Sequence, residues 1–112
     1  MKIIDKRVKF DEICMNHEDG IVTGFFAIEK SLLEEMYPNQ YPEAIAGKLS
    51  IEISKDVAMG LSQECNAICS ISPVEYNENY NEYDCCNWFD VCLPQDEVKE
   101  LVNIIKEELK QW

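Results

Sequence analysis

The chain has 112 residues and carries 22 acidic side chains against 10 Lys and Arg, which gives a formal net charge of −12. That length is typical of one domain, here spanning 1–112, and a hydrophobic fraction of 46% is that of a folded chain rather than a disordered one. So large a negative charge repels phosphate backbones and anionic lipid headgroups, so we expect no direct binding to nucleic acid and no membrane association.

The N-terminal residues carry charges at positions 2, 5, 6 and 7, which interrupt the apolar stretch of about 7 to 15 residues that a secretory signal requires. No run approaches the roughly 18 apolar residues of a membrane-spanning helix. We therefore expect a cytoplasmic protein. In that reducing setting its six cysteines would be thiols rather than a disulfide framework.

The first third of the chain has the pattern of a β-hairpin. Residues 2–15 alternate loosely between apolar and charged side chains, and residues 21–29 are rich in β-branched and aromatic ones. Between them Asp19-Gly20 provides the positive φ that a tight connection needs. Gly24 interrupts the second strand and would mark a β-bulge.

A short helix is expected over residues 31–37, because Ser31 and Glu34 have the spacing of a capping box and Pro38 ends the helix. The repeated Tyr-Pro pairs of residues 37–42 predict a loop, since proline restricts its own φ and the conformation of its predecessor. Residues 43–47 would add a further helical turn.

Three more strands follow from alternation of apolar and polar residues. They are expected at 48–54, at 65–72 with Pro73 as its end, and at 87–93. Residues 75–84 contain no aliphatic side chain, so they form either a mobile loop or the extended tip of a hairpin.

A long helix begins at Pro94, which is tolerated at the start of a helix where no backbone donor is required. Its apolar stripe comprises Val98, Leu101, Val102, Ile105, Leu109 and Trp112. The order of elements predicts an α+β fold: an antiparallel sheet of about five strands, with the C-terminal amphipathic helix packed on one face and a short helix in the first half.

The sequence contains no motif for enzymatic chemistry, so we expect no enzyme. It has one histidine, no nucleophile elbow, no metalloprotease motif, and too few glycines to build a loop that binds phosphate. A hydrolase-like enzyme with an acidic pocket stays an alternative without a supporting motif.

Zinc or thiol chemistry is the stronger alternative function. On spacing, Cys14, His17, Cys65 and Cys69 are candidate metal ligands, and Cys85, Cys86 and Cys92 follow as further thiols. If Cys65 and Cys69 lie in one strand, however, they are about 13 Å apart, whereas thiolates on one zinc ion lie within about 4 Å of each other. We therefore predict no metal and no other cofactor.

The charges are unevenly distributed along the chain. Between Lys55 and Lys99 there are nine acidic residues and no basic one, and three tyrosines lie among them. Such acids can simply keep a small domain in solution, but tyrosine is also enriched in protein interfaces. Our leading hypothesis is a small binding or inhibitor module that engages a basic protein partner through the acidic, tyrosine-rich region 75–90. The predicted contact residues are Glu75, Tyr76, Glu78, Tyr80, Glu82, Tyr83, Asp84, Trp88 and Asp90.

Overall fold

The structure is a computed structural model, and it describes residues 5–62 and 66–111. Within these described residues six strands and three helices follow one another. They are β1 (Val8–Asn16), β2 (Ile21–Glu29), α1 (Lys30–Met36), β3 (Ala46–Ser54), α2 (Lys55–Ala58), β4 (Ile68–Asn77), β5 (Glu82–Asp84), β6 (Phe89–Asp90) and α3 (Gln95–Leu109).

The strands form an antiparallel sheet in the order β1-β2-β3-β4-β5, and β6 also pairs with β4. Strands β5 and β6 thus run along the same side of β4, β5 beside residues 75–77 and β6 beside residues 70 and 71. Together they act as one interrupted fifth strand. The predicted α+β class, with its C-terminal helix and its early short helix, is confirmed.

The predicted hairpin forms, but its first strand begins at Val8 rather than at residue 2: residues 5–7 form a bend and turn, and residues 2–4 lie outside the described residues. Gly20 adopts a φ of +64° in the turn, and its carbonyl accepts a hydrogen bond from the backbone N–H of Lys55 at 2.8 Å. The predicted bulge at Gly24 is wrong, because β2 keeps a regular register with β3. The irregularity lies instead in β1, between Phe10 and Glu12.

One face of the sheet carries the hydrophobic core. Val22, Phe26 and Ile28 of β2 alternate with polar-face residues, and β3 and β4 repeat the pattern. Helix α3 packs on this face through Val98, Leu101, Val102 and Ile105, all of them buried. Burial of four aliphatic side chains stabilises this docking by about 1.5 to 3 kcal/mol per residue.

Helix α1 covers the other part of the core face through Leu32 and Leu33. It begins at Lys30 with Glu29 as its N-cap, so the predicted capping box starting at Ser31 is wrong; the Ser31 hydroxyl instead accepts a bond from Arg7 at 3.4 Å. The helical turn predicted at 43–47 is also absent, since β3 already begins at Ala46 and hydrogen bonding across the sheet takes over there.

Pro73 does not end its strand as predicted, because β4 continues to Asn77. The reason lies in the interrupted fifth strand: residues 72–74 fall between the pairs made with β6 and those made with β5. Proline lacks the donor that a ladder needs, and a local edge of this kind tolerates it. The predicted start of this strand at Cys65 lies outside the described residues.

The acidic segment 75–84 forms a hairpin tip, one of its two predicted forms, with β4 and β5 as its arms. The last strand is shorter than the predicted 87–93 and is reduced to Phe89–Asp90. Phe89 turns towards the core, where it lies 5.3 Å from the ring of Tyr37 and 6.2 Å from that of Tyr41. In the parts of the chain described, no helix is long and apolar enough to cross a membrane.

Candidate binding surface

The β4–β5 hairpin presents the predicted acidic and aromatic side chains. Tyr76 pairs directly with Tyr83 across the two strands, and their rings meet edge to face with centroids 5.4 Å apart. The Tyr76 hydroxyl donates to the Asn81 side chain at 3.3 Å, and Asn81 takes the positive φ of 52° that the turn requires. Asparagine tolerates this conformation better than most residues. The hairpin therefore holds its two rings in a defined orientation.

A concavity of about 660 Å³ lies beside this ring pair. We call it the hairpin concavity. It is lined by Glu43, Glu75, Tyr76, Asn77, Glu78, Tyr83, Asp84, Cys86 and Asn87. Five of the predicted contact residues thus meet in one place, whereas Tyr80 and Glu82 are not part of its lining. Tyr80 is 70% exposed at the hairpin tip.

Two of the carboxylates in the concavity, those of Glu75 and Asp84, accept hydrogen bonds from neighbouring residues. The Asn87 side chain donates to Glu75 at 3.4 Å, and the Asn77 side chain donates to the sulfur of Cys86 at 3.5 Å. The backbone N–H of Cys85 donates to the Asp84 carboxylate at 2.7 Å. These contacts orient two of the carboxylates without neutralising them.

No cation from the described residues balances this charge. The ion pairs found there join Arg7 to Asp5 and Glu35, Lys30 to Glu34, Lys48 to Asp11 and Lys110 to Glu107. Within the same residues Glu43, Glu75, Glu78 and Asp84 form no ion pair. Their negative potential is therefore directed at solvent.

Trp88 and Asp90 lie apart from the hairpin concavity. Together with Thr23, Phe25, Ser50, Glu52 and Ser70, Trp88 lines a shallow groove of about 360 Å³, which we call the sheet-face groove. Its ring is 6.2 Å from that of Phe25, and Asp90 accepts a hydrogen bond from Ser70 at 3.1 Å. The predicted contact set is thus divided between two places along β4, because β5 pairs with residues 75–77 whereas β6 pairs with residues 70 and 71.

The metal alternative finds no geometric support among the described residues. Cys14 is exposed on β1 beside Thr23, whereas Cys69 is buried on β4 beside Ile51, about 14 Å away across three strand spacings. His17 Nδ1 lies 3.5 Å from the Lys55 ammonium, an unfavourable place for a metal cation. Across 5–62 and 66–111, no three His, Cys, Asp or Glu side chains are grouped to hold a metal ion. Cys65 lies outside the described residues.

The adjacent thiols of Cys85 and Cys86 both have pKa values above the ordinary value of a cysteine. Burial raises the pKa of Cys85, and the nearby Lys48 ammonium opposes that rise only in part. Desolvation and a hydrogen bond with Asp84 raise the pKa of Cys86. Because the thiolate is the reactive form, both groups react slowly at neutral pH.

Sequence reasoning did not find Glu43, Cys86 and Asn87 as part of the concavity, or Phe25 and Glu52 as part of the groove. Glu43 reaches its place through the loop after α1, which no local pattern indicates. The sequence did hold a signal for Phe25. It lies on the face of β2 opposite the buried residues, where a polar side chain is expected and an aromatic one indicates a contact.

No protein-family model, curated protein or solved structure matches the chain.

Proposed function

We propose that this protein is a small, non-enzymatic binding module that engages a basic surface of another protein through its acidic, tyrosine-rich hairpin. The observation that carries the proposal is the hairpin concavity, where four carboxylates flank a fixed pair of tyrosine rings. Within the described chain none of these four carboxylates has an ion-pair partner, so a partner's Lys or Arg side chains would supply the missing cations.

The tyrosines favour a protein partner over a purely ionic one. Tyr76 and Tyr83 are 50% and 54% exposed, so about half of each ring is available to a partner while the two rings stay in contact. Their amphipathic surfaces lose little conformational entropy on binding and can stack on guanidinium groups. A phosphate-bearing partner would instead be repelled by the same surface.

A cytoplasmic location is part of the proposal. Cys14, Cys85, Cys86 and Cys92 are all unbridged thiols, and these persist in a reducing compartment. A metal or thiol function gains no comparable support, because the described ligand candidates are dispersed and the pKa values of Cys85 and Cys86 are raised.

The test compares two variants with the same net charge. One carries Glu75→Gln, Glu78→Gln and Asp84→Asn in the hairpin concavity. The control carries Glu18→Gln, Glu100→Gln and Glu108→Gln, which lie outside it. Each is used to capture proteins from a cell extract, alongside the wild-type chain. We expect a basic protein to be retained by the wild type and the control but lost with the hairpin variant.

The kinetics of the captured protein provide the second arm. Electrostatic steering predicts that its association rate falls steeply between low and high salt, with a smaller effect on dissociation. Equal capture by the two variants, or an association rate that does not change with salt, would overturn the proposal.

A further inference from the structure

The face of the sheet opposite the core is built unlike an ordinary solvated surface. In register across the strands lie Glu12, Phe25, Ser50, Ser70 and Asp90. A carboxylate lies at each end of this row, and the three residues between them are one phenylalanine and two serines. The row extends about 19 Å, four strand spacings.

Two aromatic rings wall the sheet-face groove. Trp88 is 40% exposed and lies at 59° to Phe25, with ring centroids 6.2 Å apart. That separation leaves no room for a ligand between the rings, but the indole is partly exposed and lines the groove together with Ser50 and Ser70. A planar group would therefore stack on Trp88.

Near Phe25 this face already holds a cation, the Lys48 ammonium. The Lys48 ammonium lies 5.8 Å from the centre of the Phe25 ring and 3.0 Å from the Asp11 carboxylate. The Lys48 ammonium thus contacts both a carboxylate and an aromatic ring. Glu52 and Trp88 provide a second carboxylate and a second ring in the same groove, and Glu52 forms no ion pair with a cation of residues 5–62 or 66–111.

We infer that the sheet-face groove is a binding site for an arginine side chain of a protein partner, whose guanidinium stacks on Trp88 and pairs with Glu52. Arginine fits better than lysine because its guanidinium is planar, stacks on aromatic faces, and offers a fork of donors that matches a carboxylate. The volume of about 360 Å³ accommodates one such side chain. This inference goes beyond the proposed function, since it uses different side chains and holds whether or not the hairpin binds.

The experiment uses short end-blocked peptides in which glycines flank one central residue: Arg, Lys or citrulline. Citrulline keeps the planar shape of arginine and lacks its charge. Binding is followed by NMR on the full chain. We expect the Arg peptide to shift the Trp88 indole N–H and the Ser50 and Ser70 amides saturably, the Lys peptide to bind several-fold more weakly, and the citrulline peptide at least about tenfold more weakly.

Variants then locate the site. Glu52→Gln should weaken the Arg peptide about tenfold, the loss of one charge-assisted contact. Trp88→Leu should abolish the shifts, while Trp88→Phe keeps a ring and most of the affinity, which separates loss of stacking from loss of folding. The control Tyr80→Leu also removes an exposed aromatic ring, but at the hairpin tip, and it should not change the binding of the Arg peptide.

Equal binding of the citrulline or Lys peptide, or shifts centred on Tyr76 and Tyr83, would overturn the inference. So would unchanged affinity in the Glu52→Gln variant. The hairpin variant described above keeps the groove intact, so it should bind the Arg peptide normally even if it no longer captures a protein. The two proposals can thus fail independently.

Discussion

Gly24 lies directly beneath Ile105: a Cβ atom on Gly24 would come within 2.5 Å of both Cγ1 and Cδ1 of that side chain. The glycine therefore sets how closely α3 approaches β2. Ile105 is fully buried at this contact, so close-packed neighbours oppose a shift of its side chain. Gly24, which the sequence suggests as a weak point of its strand, is thus the residue on which the C-terminal helix α3 packs.

Gly24→Ala is expected to destabilise the fold by about 1 to 3 kcal/mol through overpacking against Ile105. Ile105→Ala alone should cost about 2 to 5 kcal/mol because it leaves a cavity. The double variant should lose less than the two single effects together, since the added methyl occupies part of that cavity. Urea unfolding of the four proteins gives the coupling, and strict additivity would contradict the packing described.

Acid should remove the contribution of Arg7. Its guanidinium lies 2.9 Å from Asp5 and 2.8 Å from Glu35, and hydrogen bonds from Arg7 lower the pKa of Asp5 to about 2. A lowered pKa in the folded state stabilises above the ordinary value of about 4, and this stabilisation is lost as pH falls towards 2. Thermal melts of wild type and Arg7→Gln should differ near neutral pH and converge in that acid range. A gap that stays constant down to pH 2 would contradict the assignment.

Cys85 should be alkylated several-fold more slowly in the folded chain than in urea near neutral pH, because burial raises the pKa of its thiol. The measurement uses a Cys86→Ser variant, so that Cys85 is the one thiol of the adjacent pair that can be alkylated. The Lys48 ammonium lowers that pKa, so Lys48→Gln should slow the reaction further. Cys14 serves as the internal control, and a faster reaction after removal of Lys48 would be the contrary result.

The hairpin tip depends on Asn81. Its φ of 52° disfavours β-branched residues, so Asn81→Val should cost about 1 to 2 kcal/mol, whereas Asn81→Gly should preserve the turn. Near-UV circular dichroism of the Tyr76–Tyr83 pair reports the geometry of the hairpin. We expect its signal to fall in the valine variant and to persist in the glycine variant. Equal signals in both would show that the turn does not hold the rings.

The elements that could be predicted from sequence are those whose apolar residues recur at one period over their whole length. The strand β3 and the helix α3 meet this condition, and the hairpin of β1 and β2 is indicated by the Asp19-Gly20 turn between them. Element boundaries set by contacts with distant residues were missed. Helix α1 starts before Ser31, and the exact end of a helix is not fixed by its local sequence. Strand β4 continues past Pro73, because no neighbouring strand requires a backbone donor at that residue.

The candidate site was predicted as one surface, and its composition did identify the hairpin correctly as a concentration of acids and tyrosines. Linear proximity could not show that Trp88 lies apart from the hairpin concavity, beside the ring of Phe25. Nor could it bring Glu43 from the loop after α1 to the hairpin concavity. Both depend on strand pairing across long separations, which one sequence does not specify.

The interruption of the fifth strand opposite Pro73 also bears on how this sheet behaves in a crowded solution. An uninterrupted margin of a sheet is a template on which another copy can add a strand and begin to aggregate. On the β4 side a residue without a backbone donor and a two-residue strand break that template. On the β1 side the irregularity at Asp11 and the charges of Lys9 and Glu12 have the same effect. The described margins of the sheet thus discourage growth by strand addition.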